Sequence, residues 1–393
     1  MLGLLAAASP TERRTDVFLA IRDIRFAKGR FALMGGVVAL ITLLLVMLSG
    51  LTAGLADQST SAIDKLGADN GSGVASRAAD SIVFGAPGTN APNASFTESE
   101  VTAAQVESWK NRAGVEAAEA LGISQARLQA VAGDTGAGTG TTNVAVFGVA
   151  QDGQLAPSAV TASTVVIGKT VAKALALTAG DKASIGGTEL TVSAVVEDQW
   201  YSHTSVIWTA LPTWSTVAHL TDPEQLGTVA VVTYKDGATV HEAAANAAAH
   251  TVSASRTGSF QALGSYKSEN GSLTLMQAFL YGISALVIVA FLTVWTVQRT
   301  RDVAVLKAMG ASGSYVLRDA LTQAAIVLVA GAGIGGGIGI FGGFSAAKAA
   351  PFLISPATTL LPILGIIALG LAGAALAVRR VTRVDALIAL GGS

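Results

Sequence analysis

The sequence predicts an α-helical membrane protein with four transmembrane helices and one α+β extracytoplasmic domain between the first and the second. Charged residues make up only 13% of the 393 residues, against about 25% in a typical soluble domain. Four stretches without charge are long enough to cross about 30 Å of hydrocarbon. A long segment rich in Ser, Thr, Gly and Asp separates the first stretch from the other three.

Composition and motifs also exclude several classes of protein. The net charge of −1 does not favour nucleic acid as a partner. The absence of cysteine excludes disulfides, zinc–thiolate sites and thiol nucleophiles. Neither GxxxxGKS, GxxxxGKT nor HExxH occurs, so the sequence predicts no ATP site of the P-loop type and no zincin site. We therefore expect no catalytic residues, no metal site and no intrinsic cofactor.

The N-terminal region, residues 1–30, is expected in the cytoplasm ahead of the first span. Over 16–30, apolar residues alternate with Arg and Lys at helical spacing, which predicts an amphipathic helix on the membrane surface. A plain basic flank is the alternative. The first span, 31–56, carries no charge, and the positive-inside rule places its basic flank in the cytoplasm. No basic region precedes the apolar run 1–8, so we do not interpret it as a cleaved signal peptide.

The segment 57–270 is expected outside the cytoplasm. Helical spacing predicts helices over 98–121 and 239–250, and Gly and Thr predict a flexible loop over 132–142. Short β-branched runs bounded by turn residues predict six strands. These are Asn143–Ala150, Thr164–Gly168, Lys182–Ile185, Glu189–Glu197, Val206–Thr209 and Thr228–Tyr234.

Three further spans follow this domain. The third contains eight glycines between 331 and 343, which allow close backbone contact between helices. The charge bias at every crossing places both termini in the cytoplasm. The predicted boundaries are 271–297 for the second span, 320–344 for the third, 345–356 for a short outer loop, 357–378 for the fourth and 379–393 for the tail.

A charged segment, 298–319, separates the second and third spans. Val303, Leu306 and Met309 share one face of a predicted short amphipathic helix, and most of the charges share another. Such a helix suits docking onto a soluble partner in the cytoplasm. An ordinary basic loop is the alternative.

The run Arg301–Ser312, RDVAVLKAMGAS, resembles the signature of the FtsX/MacB-type permeases of ABC transporters. The resemblance implies that this loop meets an ATPase subunit, and that two permease copies bind two ATPase subunits carrying ATP and Mg. It also implies a small β-barrel, indicated by the turns at Gly180-Asp181 and Gly186-Gly187. The residues implied in coupling to the ATPase are Arg301, Asp302, Val305, Leu306, Lys307, Met309 and Gly310.

The spans contain almost no ionisable side chains. A carrier driven by protons or ions usually has acids or bases at membrane depth. The energy for transport is therefore expected from a separate ATPase, in agreement with the resemblance.

The most unusual cluster outside the spans contains Trp200, Tyr201, His203, Trp208 and Trp214. Tyr and His can bind haem iron, and flat aromatic rings can stack on a macrocycle. The alternative is that Trp208 and Trp214 fill a small β core while Tyr201 and His203 face water.

Within the family, this outer domain and the chain length resemble haem-exporter permeases of the HrtB type more than the larger MacB drug and toxin pumps. That resemblance implies that Tyr201 handles haem. A second candidate site lies at the outer ends of the first two spans, where Met47, Met276, Phe279 and Tyr281 would line an apolar cleft in a pair of copies. Plain packing is the alternative for these four.

The sequence thus favours the permease subunit of an ABC-type exporter that takes haem from the outer leaflet of a bacterial plasma membrane. Two other functions stay open. One is an FtsX-like signal transmitter that regulates a cell-wall hydrolase. The other is export of lipids, lipoproteins or peptides.

Overall fold

A computed structural model describes residues 28–68, 78–131, 140–298, 305 and 312–382. The chain divides into two compact units. The span unit contains the described residues up to 54 and from 272 onward. The inserted domain contains those between 55 and 271.

Helices occur in both units. The described residues also include a short 3₁₀ helix at Gly258–Ala262. The α-helices are α1 Lys28–Asp64, α2 Ala103–Lys110, α3 Lys169–Leu175, α4 Leu211–Val217, α5 Glu242–Ala249, α6 Gly264–Gln298, α7 Gly313–Ala346 and α8 Pro356–Thr382.

Four of these helices, α1, α6, α7 and α8, are long and apolar enough to cross a membrane. This confirms the predicted class of four membrane helices with a domain between the first and the second. Two of them run past the predicted spans: α1 continues to Asp64 instead of stopping at 56, and α6 begins at Gly264 rather than 271. The extra turns belong to the inserted domain.

Glycines of α7 allow it to lie directly against α1. A Cβ atom at Gly335 would lie 2.1 Å from the carbonyl oxygen of Ala39, and one at Gly331 would lie 2.8 Å from that of Gly35. Both distances are too short for any side chain. The prediction of close helix contact is therefore confirmed for the glycines on one face of α7. The absence of side chains there lets the two backbones approach each other.

The loop between α7 and α8 packs on a second pair of glycines. Gly50 of α1 faces the ring of Phe352, and Gly54 faces the backbone of Pro351. The backbone N–H of Leu353 donates to the carbonyl oxygen of Gly50 at 3.0 Å. The glycines at positions i and i+4 of α1 are thus covered by a loop of the same chain.

The inserted domain contains twelve strands among its described residues. Ten form one sheet in the order β12-β1-β11-β3-β4-β9-β5-β7-β6, with β8 paired to β9, and β10 pairs with β2. The strands are β1 Ser81–Phe84, β2 Val101–Thr102, β3 Val115–Ala130, β4 Thr141–Val149, β5 Thr164–Gly168, β6 Lys182–Ile185, β7 Thr188–Val196, β8 Trp200–Tyr201, β9 Thr204–Ala210, β10 Gln225–Gly227, β11 Val229–Tyr234 and β12 Val252–Ser255.

The long strand β3 belongs to two substructures. Its first half pairs with β11 in an open sheet, and its second half pairs with β4. Its last residues also pair with β6, Leu128 opposite Ile185, which closes the ring β3-β4-β9-β5-β7-β6. The small β-barrel expected from the resemblance is therefore present. Gly186 and Gly187, both with positive φ, form the tight turn between β6 and β7.

The prediction of one helix over 98–121 is wrong in its second half. Thr102 caps α2 through the backbone N–H of Gln105, and the helix ends at Lys110. Gly114 has a φ of +90° and turns the chain into β3. Pairing with β11 then stabilises a strand in an Ala-rich stretch whose local preference is helical. Of the predicted flexible loop 132–142, residues 132–139 lie outside the described part of the chain, and 141–142 begin β4.

The largest core of the inserted domain includes the end of α1. Ala62 and Ile63 of that helix are fully buried with Ile82 of β1 and Phe147 of β4. Leu263, the residue before α6, lies in the same cluster. The domain therefore folds around the end of one membrane helix and the beginning of another.

We predict that Gly335→Ala lowers the free energy of unfolding by about 1–3 kcal/mol, because the new methyl group meets a backbone oxygen that cannot rotate away. Gly337→Ala is the matched control, since among the described residues nothing outside its own stretch of helix lies within 4 Å of a Cβ at that position. It should stay within about 0.5 kcal/mol of the parent. Thermal unfolding of the chain in lipid nanodiscs measures both, and equal stability of the two variants would contradict the close contact between α1 and α7.

Candidate functional site

The first candidate residues lie on the hairpin of β8 and β9. Trp200 pairs with Ser205 and Tyr201 with Thr204, which leaves Ser202 and His203 as a two-residue turn. Both turn residues have positive φ, 48° and 63°. Such a turn normally takes Asn or Gly, because other side chains are strained in this conformation.

Tyr201 lies in the core instead of facing water. The residue is 6% exposed. It makes edge-to-face contacts with Phe96 at 5.9 Å and with Phe147 at 5.5 Å between ring centroids. Burial raises the pKa of the Tyr201 phenol above its ordinary value, because a phenolate is poorly solvated there. The Tyr201 ring is therefore a core side chain of the inserted domain.

The two tryptophans that follow are core residues, as the alternative interpretation expected. Trp208 is 1% exposed and stacks edge-to-face on Phe147 at 5.1 Å. Trp214 is also 1% exposed. Its side chain lies over Gly122 and Gly148: a Cβ at Gly122 would come within 2.2 Å of the ring, and one at Gly148 within 2.3 Å of the Trp214 Cβ. The same alternative is wrong for Tyr201, which it placed in water.

His203 has partners that the sequence does not indicate. Its Nε2 lies 2.8 Å from Oε2 of Glu269 and 3.1 Å from Oγ of Ser59. The imidazole is 34% exposed. Since a carboxylate only accepts hydrogen bonds, Nε2 carries the proton and donates to Glu269. No local pattern could have identified Ser59 and Glu269, which lie 144 and 66 residues away in the chain.

The second candidate site has two exposed members on α6. Met276 is 56% and Phe279 is 64% exposed. Leu275, Ile283 and Leu286 are also exposed and extend the same face along the helix. We call these five residues the α6 apolar face.

The other two members of that candidate site lie within the helix packing. Tyr281 points toward α8, where its ring comes 3.1 Å from a Cβ built at Gly365. Met47 of α1 lies beside α7, with its sulfur 3.7 Å from a Cβ built at Gly342. The structure thus separates Met276 and Phe279, which are accessible, from Tyr281 and Met47, which pack against other helices.

The ATPase-coupling candidates fall mostly outside the described residues. Val305 is helical and 47% exposed. The structure does not describe the other coupling candidates, which are Arg301, Asp302, Leu306, Lys307, Met309 and Gly310.

The amphipathic N-terminal helix predicted over 16–30 lies outside the described part except for its last residues, which begin α1. Among the described residues, no group of three or more His, Cys, Asp or Glu side chains could hold a metal ion.

Two models of known protein families match the chain. The MacB-like periplasmic core domain matches residues 15–250, and the FtsX-like permease C-terminal domain matches residues 274–386. The first match covers more than half of the chain. The chain therefore belongs to the MacB-like family of ABC transporter permeases, and it is a multi-pass membrane protein.

Curated relatives match a shorter stretch. The chain is 28% identical over 130 residues to the "Putative hemin transport system permease protein HrtB" of Staphylococcus epidermidis. It is 31% identical over 130 residues to the protein of the same name from Staphylococcus haemolyticus. Each match covers 33% of this chain and 37% of the relative, so the chain spans little more than a third of the curated relatives' length.

Two solved structures also resemble the chain. The periplasmic region of MacB from Actinobacillus actinomycetemcomitans is 12% identical, with a TM-score of 0.32 over 50% of this chain and 92% of that one. The extracellular domain of the noncanonic ABC-type transporter YknZ from Gram-positive bacteria is 14% identical, with a TM-score of 0.32 over 45% of this chain and 99% of that one.

The burial of Tyr201 predicts a sharp difference between two substitutions. Tyr201→Ala should lower the free energy of unfolding by about 3–5 kcal/mol, because it leaves a cavity between Phe96 and Phe147. Tyr201→Phe keeps the ring and should cost less than about 1.5 kcal/mol. Denaturant unfolding followed by tryptophan fluorescence measures both. Equal and small effects would show that the ring is not a core residue.

Proposed function

We propose that the chain is the permease subunit of an ABC-type exporter, in which two copies bind two ATPase subunits that supply ATP and Mg. The observation that carries this proposal is the match to the MacB-like family over most of the chain. The described helices add support: 31–56, 272–297, 320–346 and 356–378 contain no Asp, Glu, Lys or Arg. Since an ion-coupled carrier needs such groups at membrane depth, the energy comes from the partner.

The ATPase subunit docks on the segment between α6 and α7. In the resembling family this loop meets the ATPase, and the run from Arg301 to Gly310 fits that role. Val305 offers an exposed apolar side chain within the segment. This arrangement puts the segment and both termini in the cytoplasm of a bacterium, with the inserted domain outside.

The proposed cargo is haem. The relatives named as hemin transport permeases support this class of cargo, although they match only part of the chain. The α6 apolar face supports it chemically, because haem is a flat apolar molecule that partitions into bilayers. Met276 adds a thioether, which can bind haem iron. We propose that two such faces in a pair of permeases form a cleft that takes haem from the outer leaflet.

The accessible residues are therefore the better haem candidates. Met276 and Phe279 can touch a ligand without any movement of the helix core. Tyr281 and Met47 would line the inner wall of the cleft after a change in helix packing. Tyr201 and His203 are weaker candidates, because Tyr201 is a core side chain and the Nε2 of His203 is already bonded to Glu269 and Ser59.

ATP binding would close the two ATPase subunits and move the loop segment with its helices. The cleft between the two permeases would narrow, and the cargo would leave outward. In this step the chain's own residues bind and release the cargo and move with the helices, while the phosphate chemistry stays on the partner.

Haemin titration of the chain in lipid nanodiscs tests the cargo. We expect the Soret band to shift, and Met276→Leu to weaken binding about tenfold, because leucine keeps the volume and removes the thioether. Met34→Leu is the matched control, since Met34 is only 5% exposed and lies within the helix packing. The absence of any shift with the parent chain would rule out haem and favour lipids, lipoproteins or peptides as cargo.

A second measurement separates export from signalling. The ATP turnover of the chain with its ATPase subunit should rise when haemin is added. A turnover that ignores haemin and responds only to an external cell-wall hydrolase would instead favour an FtsX-like signal transmitter.

A further inference from the structure

The turn of the β8–β9 hairpin is bonded to the end of α1. The backbone N–H of His203 donates to the carbonyl oxygen of Gln58 at 2.9 Å, and that of Ser202 donates to the carbonyl oxygen of Ser59 at 3.1 Å. The backbone N–H of Trp200 donates to Oγ of Ser61 at 3.0 Å. Three residues of the hairpin thus donate hydrogen bonds from their backbone N–H groups to one stretch of α1, residues 58–61.

The same two turn residues are bonded to the beginning of α6. Nε2 of His203 donates to the Glu269 carboxylate at 2.8 Å, and the hydroxyl groups of Ser202 and Ser265 lie 3.1 Å apart. The Ser59 hydroxyl, 3.1 Å from the same Nε2, brings α1 into this cluster. Each turn residue therefore touches both helices.

The backbone of the turn is in a conformation that these contacts help to hold. Ser202 and His203 both hold a positive φ. A residue with a side chain adopts this conformation at a cost in free energy, and the bonds to α1 and α6 offset that cost here. Glycine would relax the backbone here, but it would remove every side-chain bond to Glu269 and Ser265.

We propose that the Ser202–His203 turn is a joint that fastens the end of α1 to the beginning of α6, and that it stays closed while the membrane helices move. The inference rests on the proposed function, because it assigns the joint to the movement driven by ATP. It assigns to His203 the role of a positioning residue. The joint makes the two helix ends and the hairpin one rigid piece within the inserted domain.

Hydrogen exchange of the full chain in lipid nanodiscs tests the joint without any ATPase. His203→Asn keeps a residue that tolerates positive φ but is too short to reach Ser59 and Glu269 together. We expect amide exchange to rise about tenfold over 58–64, 200–204 and 264–270, since all three lose a shared bond. His219→Asn is the matched control, because His219 is exposed and also has a positive φ of 52°.

Exchange that rises only over 200–204, or rises equally in both variants, would overturn the joint. Rescue offers a further check: His203→Gln can still donate to Glu269 and should restore part of the protection over 264–270. No recovery with this variant, together with unchanged exchange over 58–64, would also count against it.

A crosslink tests whether the joint stays closed during turnover. The chain has no cysteine, so Ser202→Cys with Ser265→Cys introduces a single pair where the hydroxyl oxygens now lie 3.1 Å apart. We expect the oxidised complex with its ATPase subunit to keep more than half of its ATP turnover. Loss on oxidation and recovery with a reducing agent would show that the joint must open. If the ATPase subunit hydrolysed ATP at the same rate with and without the permease, the proposed function would be contradicted. The hydrogen-exchange comparison would still test whether the joint exists.

Discussion

The structure depends on one constraint: two helices that are apolar enough to cross a membrane also supply residues to the inserted domain. With 37 residues, α1 is about 55 Å long at about 1.5 Å per residue, which exceeds the roughly 30 Å of a hydrocarbon layer. Its last turn buries Ala62 and Ile63 in the main core, and Leu263 enters that core just before α6. Burial of such side chains is the dominant favourable term in folding. The inserted domain therefore requires both helix ends to complete its core.

The remaining architecture follows from this constraint. The aromatic contacts Phe84–Phe96–Tyr201–Phe147–Trp208 run through the same core and connect the open sheet to the barrel. Strand β3 connects them a second time, because its two halves belong to different substructures. In the span unit, glycines perform the corresponding role: they let α7 lie against α1 without the help of polar side chains. Both units thus reach close packing, one with large aromatic residues and the other with the smallest.

Hydropathy and turn chemistry were sufficient to predict much of this fold. Thr164–Gly168 and Lys182–Ile185 have the predicted bounds, because β-branched residues there lie between clear turn signals. Strand β3 was missed since its stretch VEAAEALG favours a helix locally, and only pairing with β11 decides otherwise. The candidate site was less predictable. Whether Tyr201 faces water or the core depends on Phe96 and Phe147, and the partners of His203 come from distant helices. Such contacts leave no trace in local spacing.

The most direct test of the shared core compares two isoleucines that are both fully buried in it, Ile63 at the end of α1 and Ile82 in β1. Ile63→Ala and Ile82→Ala should each lower the free energy of unfolding of the inserted domain by about 2–5 kcal/mol, because each removes the same atoms from one core. Denaturant unfolding in lipid nanodiscs, followed by tryptophan fluorescence, measures both. If Ile82→Ala destabilised the domain while Ile63→Ala left it unchanged, the domain would fold without its membrane helix, and the shared core would not exist.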